Sequence, residues 1–167
     1  MSIASILKHA DIFYELSPTQ LELIASICTE NEYSAGKVIF DEHGASDELF
    51  VVAEGEIDIL VDPTIVNTQD KNVKEPQVIA TFRRWQSFGE MALLDEGRRS
   101  ASARASQNGT RLIAIPRDKL ISLCETYPQL GYRLMFNLAV DLSIKIRNAD
   151  LQIREQLLWT HNPHNGE

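Results

Sequence analysis

The sequence is poor in the features that mark secreted and membrane proteins. It has 2 cysteines among 167 residues, too few for the disulfide framework of a small secreted domain. Cys28 and Cys124 fall in separate helical patterns, which predicts buried thiols in a reducing cytoplasm. No run approaches the roughly 20 apolar residues of a membrane span, and the first residues lack a signal-peptide pattern. We therefore predict a soluble, cytoplasmic protein without a membrane partner.

Basic residues are also scarce, with 16 Lys and Arg against 24 Asp and Glu and a net charge of −8. Duplex DNA requires a surface that neutralises many phosphates in a row, and this balance argues against one. Six arginines do crowd around one segment: Arg83, Arg84, Arg98, Arg99, Arg104 and Arg111. A concave site for one small anion needs only local positive charge, so we predict no DNA partner.

Histidine is equally rare, and its placement argues against metal chemistry. Of the 4 histidines, only His161 and His164 lie close together, in a tail rich in Pro, Asn and Gly. None of the strand-like segments carries a histidine, whereas a metal-binding barrel enzyme needs clustered His and carboxylate ligands there. No Ser/His/Asp or Cys/His arrangement stands out either. We predict no metal, no cofactor and no catalytic residue, and hence a protein that is not an enzyme.

The length and composition of the chain fit one domain with a sizeable hydrophobic core. We predict that it spans residues 1–160 and is followed by a disordered tail at 161–167. Ile3, Ile6 and Leu7 recur at helical spacing, and Ser17 followed by Pro18 indicates a capped second helix.

Beyond Asn31 the pattern changes to short runs rich in β-branched residues, separated by glycines. The runs cover residues 38–40, 49–53, 57–61, 78–82 and 112–115. They predict an antiparallel β-barrel of the jelly-roll type over about residues 30–116, and so an α+β fold. The polar stretch 63–76 is predicted to be an exposed, mobile loop. Trp85 is interpreted as a packing residue rather than a purine platform.

From Arg117 the pattern is helical, over about residues 117–158. A short helix closes before Pro128, and a long one covers about 129–158. Its main apolar stripe consists of Leu134, Leu138, Leu142, Ile146, Ala149, Ile153 and Leu157. A second face carries Val140, Ile144, Leu151 and Leu158. Two apolar faces predict packing on the barrel and on a second copy, hence a homodimer; the alternative is a helix buried within one chain.

The segment from Phe88 to Ala101 carries the chemistry. Gly89 lets the backbone approach an anion closely, and the short apolar turn after Glu90 would aim free N–H groups outward. Arg99 supplies a planar donor fork that fits two phosphate oxygens. Glu90 can only accept hydrogen bonds when ionised, which suits sugar hydroxyls. These residue types together predict a pocket for a sugar phosphate.

This segment resembles the phosphate-binding cassette of the cyclic nucleotide-binding domain family. The resemblance implies that Glu90 takes the ribose 2′-hydroxyl, that Arg99 takes the cyclic phosphate, and that nearby backbone amides complete the cradle. The implied ligand-binding residues are Gly89, Glu90, Met91, Ala92, Arg99, Ser100 and Ala101. One departure is Arg98, where the kinase-type cassette usually has proline.

The resemblance implies a stand-alone regulatory domain that binds cyclic AMP or cyclic GMP and signals to an unidentified protein by moving its C-terminal helix. Some members contact adenine through a Thr-Ser pair on that helix. Lys145 and Ile146 stand there, so this contact is not reproduced. Ser100 follows the cassette arginine, a position where members that bind cyclic AMP and members that bind cyclic GMP can both have serine. It therefore does not identify the nucleotide, and we favour cyclic AMP. The residues after Leu158 are too few for a DNA-binding module. The alternative is a ligand-free interaction or scaffold protein in which Glu90 and Arg99 form a structural ion pair.

Overall fold

The structure, a computed structural model, describes residues 1–45, 47–62, 75–94 and 98–161. Its N-terminal part consists of helix α1 (Ile3–Leu7), a 3₁₀ turn (Asp11–Phe13) and helix α2 (Pro18–Ala25). Ser17 caps α2 by accepting from the Gln20 amide, while the Gln20 side chain accepts from the Ser17 amide. This capping box, with proline in the first turn, confirms the predicted start of the helix.

Eight strands and three further helices follow in the described chain. The strands are β1 (Thr29–Tyr33), β2 (Val38–Phe40), β3 (Glu48–Glu54), β4 (Glu56–Val61), β5 (Gln77–Arg83), β6 (Ser87–Phe88), β7 (Ser102–Ala105) and β8 (Thr110–Pro116). The helices are α3 (Met91–Leu94), α4 (Arg117–Thr126) and α5 (Pro128–His161). The α+β class, the antiparallel strands and the long C-terminal helix are confirmed.

The strands pair into two antiparallel sheets, in the orders β1-β8-β3-β6 and β2-β7-β4-β5. No ladder between described strands joins the two sheets, so the predicted closure into a barrel is not confirmed. The sequence patterns did not predict three of the strands, β1, β6 and β7. β1 is polar and largely exposed, β6 has 2 residues, and β7 buries only the alanines Ala103 and Ala105. None of them carries the apolar run by which strands are recognised.

The central strands β3 and β8 are buried on both faces. Leu49 and Val51 of β3 belong to a core shared with the helices, whereas Phe50 and Val52 belong to the core between the two sheets. Alternation of side chains along a strand explains the division. The result is three layers: helices, the β3–β8 sheet, and the second sheet. The helix-side core also contains Leu93 of α3, which ties the cassette segment to the helices.

Helix α5 is buried over only its first part. Leu130, Leu134 and Leu138 are fully enclosed, whereas the two later stripe residues Ile146 and Ile153 are 61% and 54% exposed. The predicted main stripe therefore packs on its own chain as far as Leu138 and Leu142 and not along its whole length.

Two predicted features lie largely outside the described residues: the loop at 63–76, described only from residue 75, and the tail at 161–167, described only at its first residue. Among the helices that are described, none is long and apolar enough to cross a membrane.

Candidate functional site

Gly89 shapes the first limb of the cassette, which runs from Ser87 to Leu94. Its φ of +78° lies in the left-handed region that glycine adopts freely. A Cβ atom at Gly89 would lie 2.6 Å from Nη1 of Arg99. The two predicted site residues are therefore brought together so closely that a Cβ atom at Gly89 would require the guanidinium to shift.

Arg99 lies on the second limb, which runs from Arg98 to Ala101, and it is 6% exposed. Its Nε donates to the carbonyl of Ala45 at 3.3 Å, its Nη1 to that of Gly89 at 3.4 Å, and its Nη2 to that of Glu48 at 2.8 Å. The guanidinium also lies 4.0 Å from the centre of the Phe40 ring. A guanidinium has five N–H donors, so these three bonds fix its plane and leave donors on both terminal nitrogens.

Burial also sets the electrostatics of Arg99. Loss of hydration lowers the pKa of its guanidinium from the ordinary value, and the carboxylates of Asp47, Glu48 and Glu90 oppose that shift. Arginine remains protonated at neutral pH even so. The site thus contains an enclosed positive charge held chiefly by neutral carbonyls, an arrangement that an incoming anion would stabilise.

Glu90 is 8% exposed, and its partner is not Arg99. Lys145 of α5 approaches Oε1 of Glu90 at 3.1 Å and Oδ2 of Asp141 at 2.8 Å. The Lys145 ammonium also donates to the Ser87 carbonyl at 3.1 Å and lies 5.1 Å from the centre of the Phe82 ring. No ion pair within the described chain joins Glu90 to Arg99, so the pairing expected for a ligand-free protein is not what the structure has.

The remaining predicted residues line the two limbs. Met91 and Ala92 open α3, and the Ser100 hydroxyl contacts the Met91 sulfur at 3.8 Å, which links the limbs. Ala101 is half-buried at the end of the second limb. Residues 95–97 of the segment lie outside the described part. The two limbs are thus adjacent in space, as a shared ligand site requires.

Sequence reasoning missed Lys145 and the carbonyls that hold Arg99. Lys145 interrupts the apolar stripe of α5 and follows Asp141 by one helical turn, a pattern that indicates a local ion pair but not a contact with Glu90. The carbonyls of Ala45 and Glu48 carry no sequence signal, because every residue has a backbone oxygen. Trp85 behaves as a packing residue, with its ring stacked on His9 at 4.6 Å.

The six arginines of the sequence do not form one basic surface. Three pair with carboxylates of the sheets: Arg83 with Glu56, Arg104 with Asp58, and Arg111 with both Glu30 and Glu54. Arg84 donates to the Ala53 carbonyl, Arg98 is exposed, and Arg99 is enclosed. In the described structure, Arg99 is the one of these six that donates to the first limb, through its bond to the Gly89 carbonyl.

A groove of about 450 Å³ lies between the 3₁₀ turn and α5. Its walls combine apolar side chains with the carboxylates of Asp11, Glu15 and Asp141, and Arg133 there is already paired with Glu15 at 2.8 Å. An acidic groove whose cation is neutralised does not suit an anion. The cassette, with its enclosed Arg99, is the better candidate for an anion site. No group of three or more His, Cys, Asp or Glu able to hold a metal ion occurs in the described ranges.

Comparison with known proteins agrees with the geometry. The family model of the cyclic nucleotide-binding domain matches residues 30–127. The cyclic AMP receptor protein of Thermus thermophilus is 32% identical over 147 residues, which is 88% of this chain and 62% of the receptor. The cGMP-dependent protein kinase, isozyme 1, of Drosophila melanogaster is 27% identical over 125 residues, 72% of this chain and 16% of the kinase.

Among solved structures, a cyclic nucleotide-binding domain from Methylobacillus flagellatus superposes with a TM-score of 0.78 at 25% identity, covering 99% of this chain and 84% of that one. The chain thus spans less than two thirds of the receptor and a small part of the kinase, but most of the isolated domain.

Proposed function

The chain belongs to the cyclic nucleotide-binding domain family, and from that premise we propose that it is a non-enzymatic regulatory domain that binds a cyclic nucleotide in the cassette. The observation that carries the proposal is Arg99. An enclosed guanidinium, fixed by three carbonyls beside a glycine with a left-handed φ, offers preorganised donors to a phosphate. Glu90, the residue after Gly89, supplies the acceptor for a ribose hydroxyl.

We propose cyclic AMP as the ligand. A relative named for cyclic AMP matches a larger part of this chain than the relative named for cyclic GMP. The hydroxyl of Ser100, the residue after the cassette arginine, lies 3.8 Å from the Met91 sulfur. A single hydroxyl contact discriminates weakly between bases in any case.

Titration calorimetry with cyclic AMP, cyclic GMP and 5′-AMP tests this function. We expect saturable, micromolar binding of cyclic AMP, weaker binding of cyclic GMP, and little heat with 5′-AMP, whose open phosphate has a different shape and charge. The absence of heat with either cyclic nucleotide at millimolar concentration would contradict the proposal.

The signal would pass to the helices through α3. Leu93, which is 3% exposed, packs in the helix-side core together with Leu120 of α4 and Leu130 of α5. A nucleotide that draws the two limbs together would shift Leu93 and thereby change the preferred position of α5, a population shift between two packed arrangements. A protein partner that contacts α5 would sense the change.

We further propose that α5 forms a homodimer in the cytoplasm. Its outer part exposes apolar side chains on both predicted faces: Val140, Ile144, Ile146, Leu151, Ile153, Leu157 and Leu158, each at least 45% exposed. A long helix with such a surface gains stability by packing on another, and a second copy presents the same surface.

The alternative function, an interaction protein that binds no nucleotide, is favoured by one observation. Lys145 already provides Glu90 with a charged partner, so the ribose acceptor is satisfied without ligand. The same calorimetry separates the two functions, because a chain closed by Lys145 would give no heat. The proposal of a regulatory domain predicts binding despite this contact.

A further inference from the structure

Lys145 is the last partly buried residue of α5 in the stretch as far as Leu158, beyond which side-chain burial is not described. Every residue from Ile146 to Leu158 is exposed, whereas the Lys145 side chain is 26% exposed and the Glu90 side chain 11%. From Ile146 to Leu158 the helix is therefore an exposed arm. The contact between Lys145 and Glu90 therefore joins the end of the packed helix to the candidate ribose acceptor.

The Lys145 ammonium is surrounded by groups that attract a positive charge. Four groups converge on its ammonium: the carboxylates of Glu90 and Asp141, the Ser87 carbonyl and the Phe82 ring. The Ser87 carbonyl accepts a hydrogen bond from the ammonium, and the two carboxylates lie within ion-pair distance of it. Two of these groups, Glu90 and Ser87, belong to the first limb of the cassette, and Asp141 belongs to α5 itself. The lysine thus bridges the cassette and the helix.

We infer that Lys145 is an internal competitor of the nucleotide: its ammonium holds the Glu90 carboxylate until ribose hydroxyls displace it, and the displacement releases the α5 arm. This inference rests on the proposed function. Lys145 lies 3.1 Å from Oε1 of Glu90, so a ribose hydroxyl that donates to this oxygen competes with the ammonium for it. Glu90 cannot lose its partner while enclosed without a large penalty, so ligand and lysine exchange on it. Arg99 takes no part in this exchange, since it is held by carbonyls.

The test compares cyclic AMP binding to four chains: native, Lys145→Met, Lys145→Arg and Lys119→Met. Lys119 is an exposed lysine of α4 and serves as the charge-matched control. We expect Lys145→Met to bind cyclic AMP about three- to tenfold more tightly, the scale of one partly enclosed ion pair. Lys145→Arg and Lys119→Met should stay within about twofold of the native chain. Unchanged or weaker binding by Lys145→Met would overturn the inference and leave the proposed function standing.

If the native chain binds no nucleotide, a second measurement distinguishes failure of the inference from failure of the proposed function. Binding by Lys145→Met alone would show that the lysine closes the site, in support of the inference. If neither chain binds, the proposed function fails, and a double-mutant cycle decides on the contact itself. Unfolding of the native chain, Glu90→Gln, Lys145→Met and the double variant should be non-additive if Lys145 holds Glu90. Additive changes would overturn the inference.

Discussion

The two limbs of the cassette are held in place by different means. On the second limb, Arg99 is fixed by the backbone carbonyls of Ala45, Glu48 and Gly89, none of which belongs to the helices. On the first limb, Glu90 is held by the side chain of Lys145 on α5. The cation is therefore preorganised whatever the helix does, whereas the carboxylate depends on where the helix lies. We therefore expect affinity for the phosphate to depend mainly on Arg99 and coupling to the helix mainly on Glu90.

The strongest test of the difference between the two limbs is to remove Arg99, the residue that backbone carbonyls hold in place. Arg99→Ala should abolish cyclic nucleotide binding, because removing the enclosed cation costs roughly 3–5 kcal/mol, at least two orders of magnitude in affinity. Arg98→Ala, a change at the neighbouring exposed arginine, is the matched control and should bind like the native chain. Calorimetry measures both. Native-like binding by Arg99→Ala would show that the cassette assignment is wrong.

The outer arm of α5 offers the next test, since a dimer there would connect only the Glu90 limb to a second copy. Ile153→Glu places a charge on the apolar surface and should raise the dimer dissociation constant by at least roughly thirtyfold, about 2 kcal/mol. Gln152→Glu adds the same charge at a neighbouring exposed position and is the control. Sedimentation velocity distinguishes monomer from dimer. A native chain that stays monomeric across micromolar concentrations would contradict the proposed dimer.

Gly89 lies between the limbs, and its replacement sharpens the comparison. Gly89→Ala must accept a left-handed φ and a Cβ at 2.6 Å from Arg99, so we expect a loss of about 1–3 kcal/mol in the free energy of unfolding and weaker nucleotide binding. Gly36 also has a left-handed φ, at +81°, but no atom lies within 4 Å of its would-be Cβ. Gly36→Ala thus measures the backbone strain alone. Equal losses by thermal unfolding would show that the contact with Arg99 contributes nothing.

Replacement of Glu90, whose contact with Lys145 depends on the position of α5, should weaken nucleotide binding less than replacement of Arg99. Glu90→Gln keeps an acceptor oxygen for the ribose hydroxyl but loses its charge, and we expect binding to weaken by about tenfold. Part of the loss is offset because Lys145 no longer competes with full strength. Calorimetry against Arg99→Ala gives the order. If Glu90→Gln loses as much affinity as Arg99→Ala, the two limbs do not differ in the way the structure indicates.

The smallest expected effect is on DNA. The arginines around the cassette are paired, enclosed or dispersed, so we expect no duplex binding tighter than roughly 10⁻⁶ M at physiological salt, with or without cyclic nucleotide. Fluorescence anisotropy with a labelled duplex measures this. Tighter, salt-dependent binding would mean that Arg98 and its neighbours act as a phosphate surface after all.

Much of the fold could be predicted because local rules agree with it. The capped start of α2, the turn at Gly55 between β3 and β4, and the end of α4 before Pro128 all have short-range causes. Strands β1 and β7 could not be predicted, because their positions are set by pairing with β8 and with β2 and β4. The question of barrel closure is also one of pairing between distant strands.

The sequence by itself determined which chemical groups the cassette offers: a glycine that permits close approach of the backbone, a carboxylate that accepts hydrogen bonds and an arginine that donates them, in a fixed order along one segment. Tertiary structure alone decided which partners these groups have. Arg99 meets carbonyls of a distant turn and Glu90 meets a lysine far along the chain, because those contacts depend on how sheets and helices pack. Residue type fixes what a group can bind, and packing fixes what lies within hydrogen-bonding distance of it.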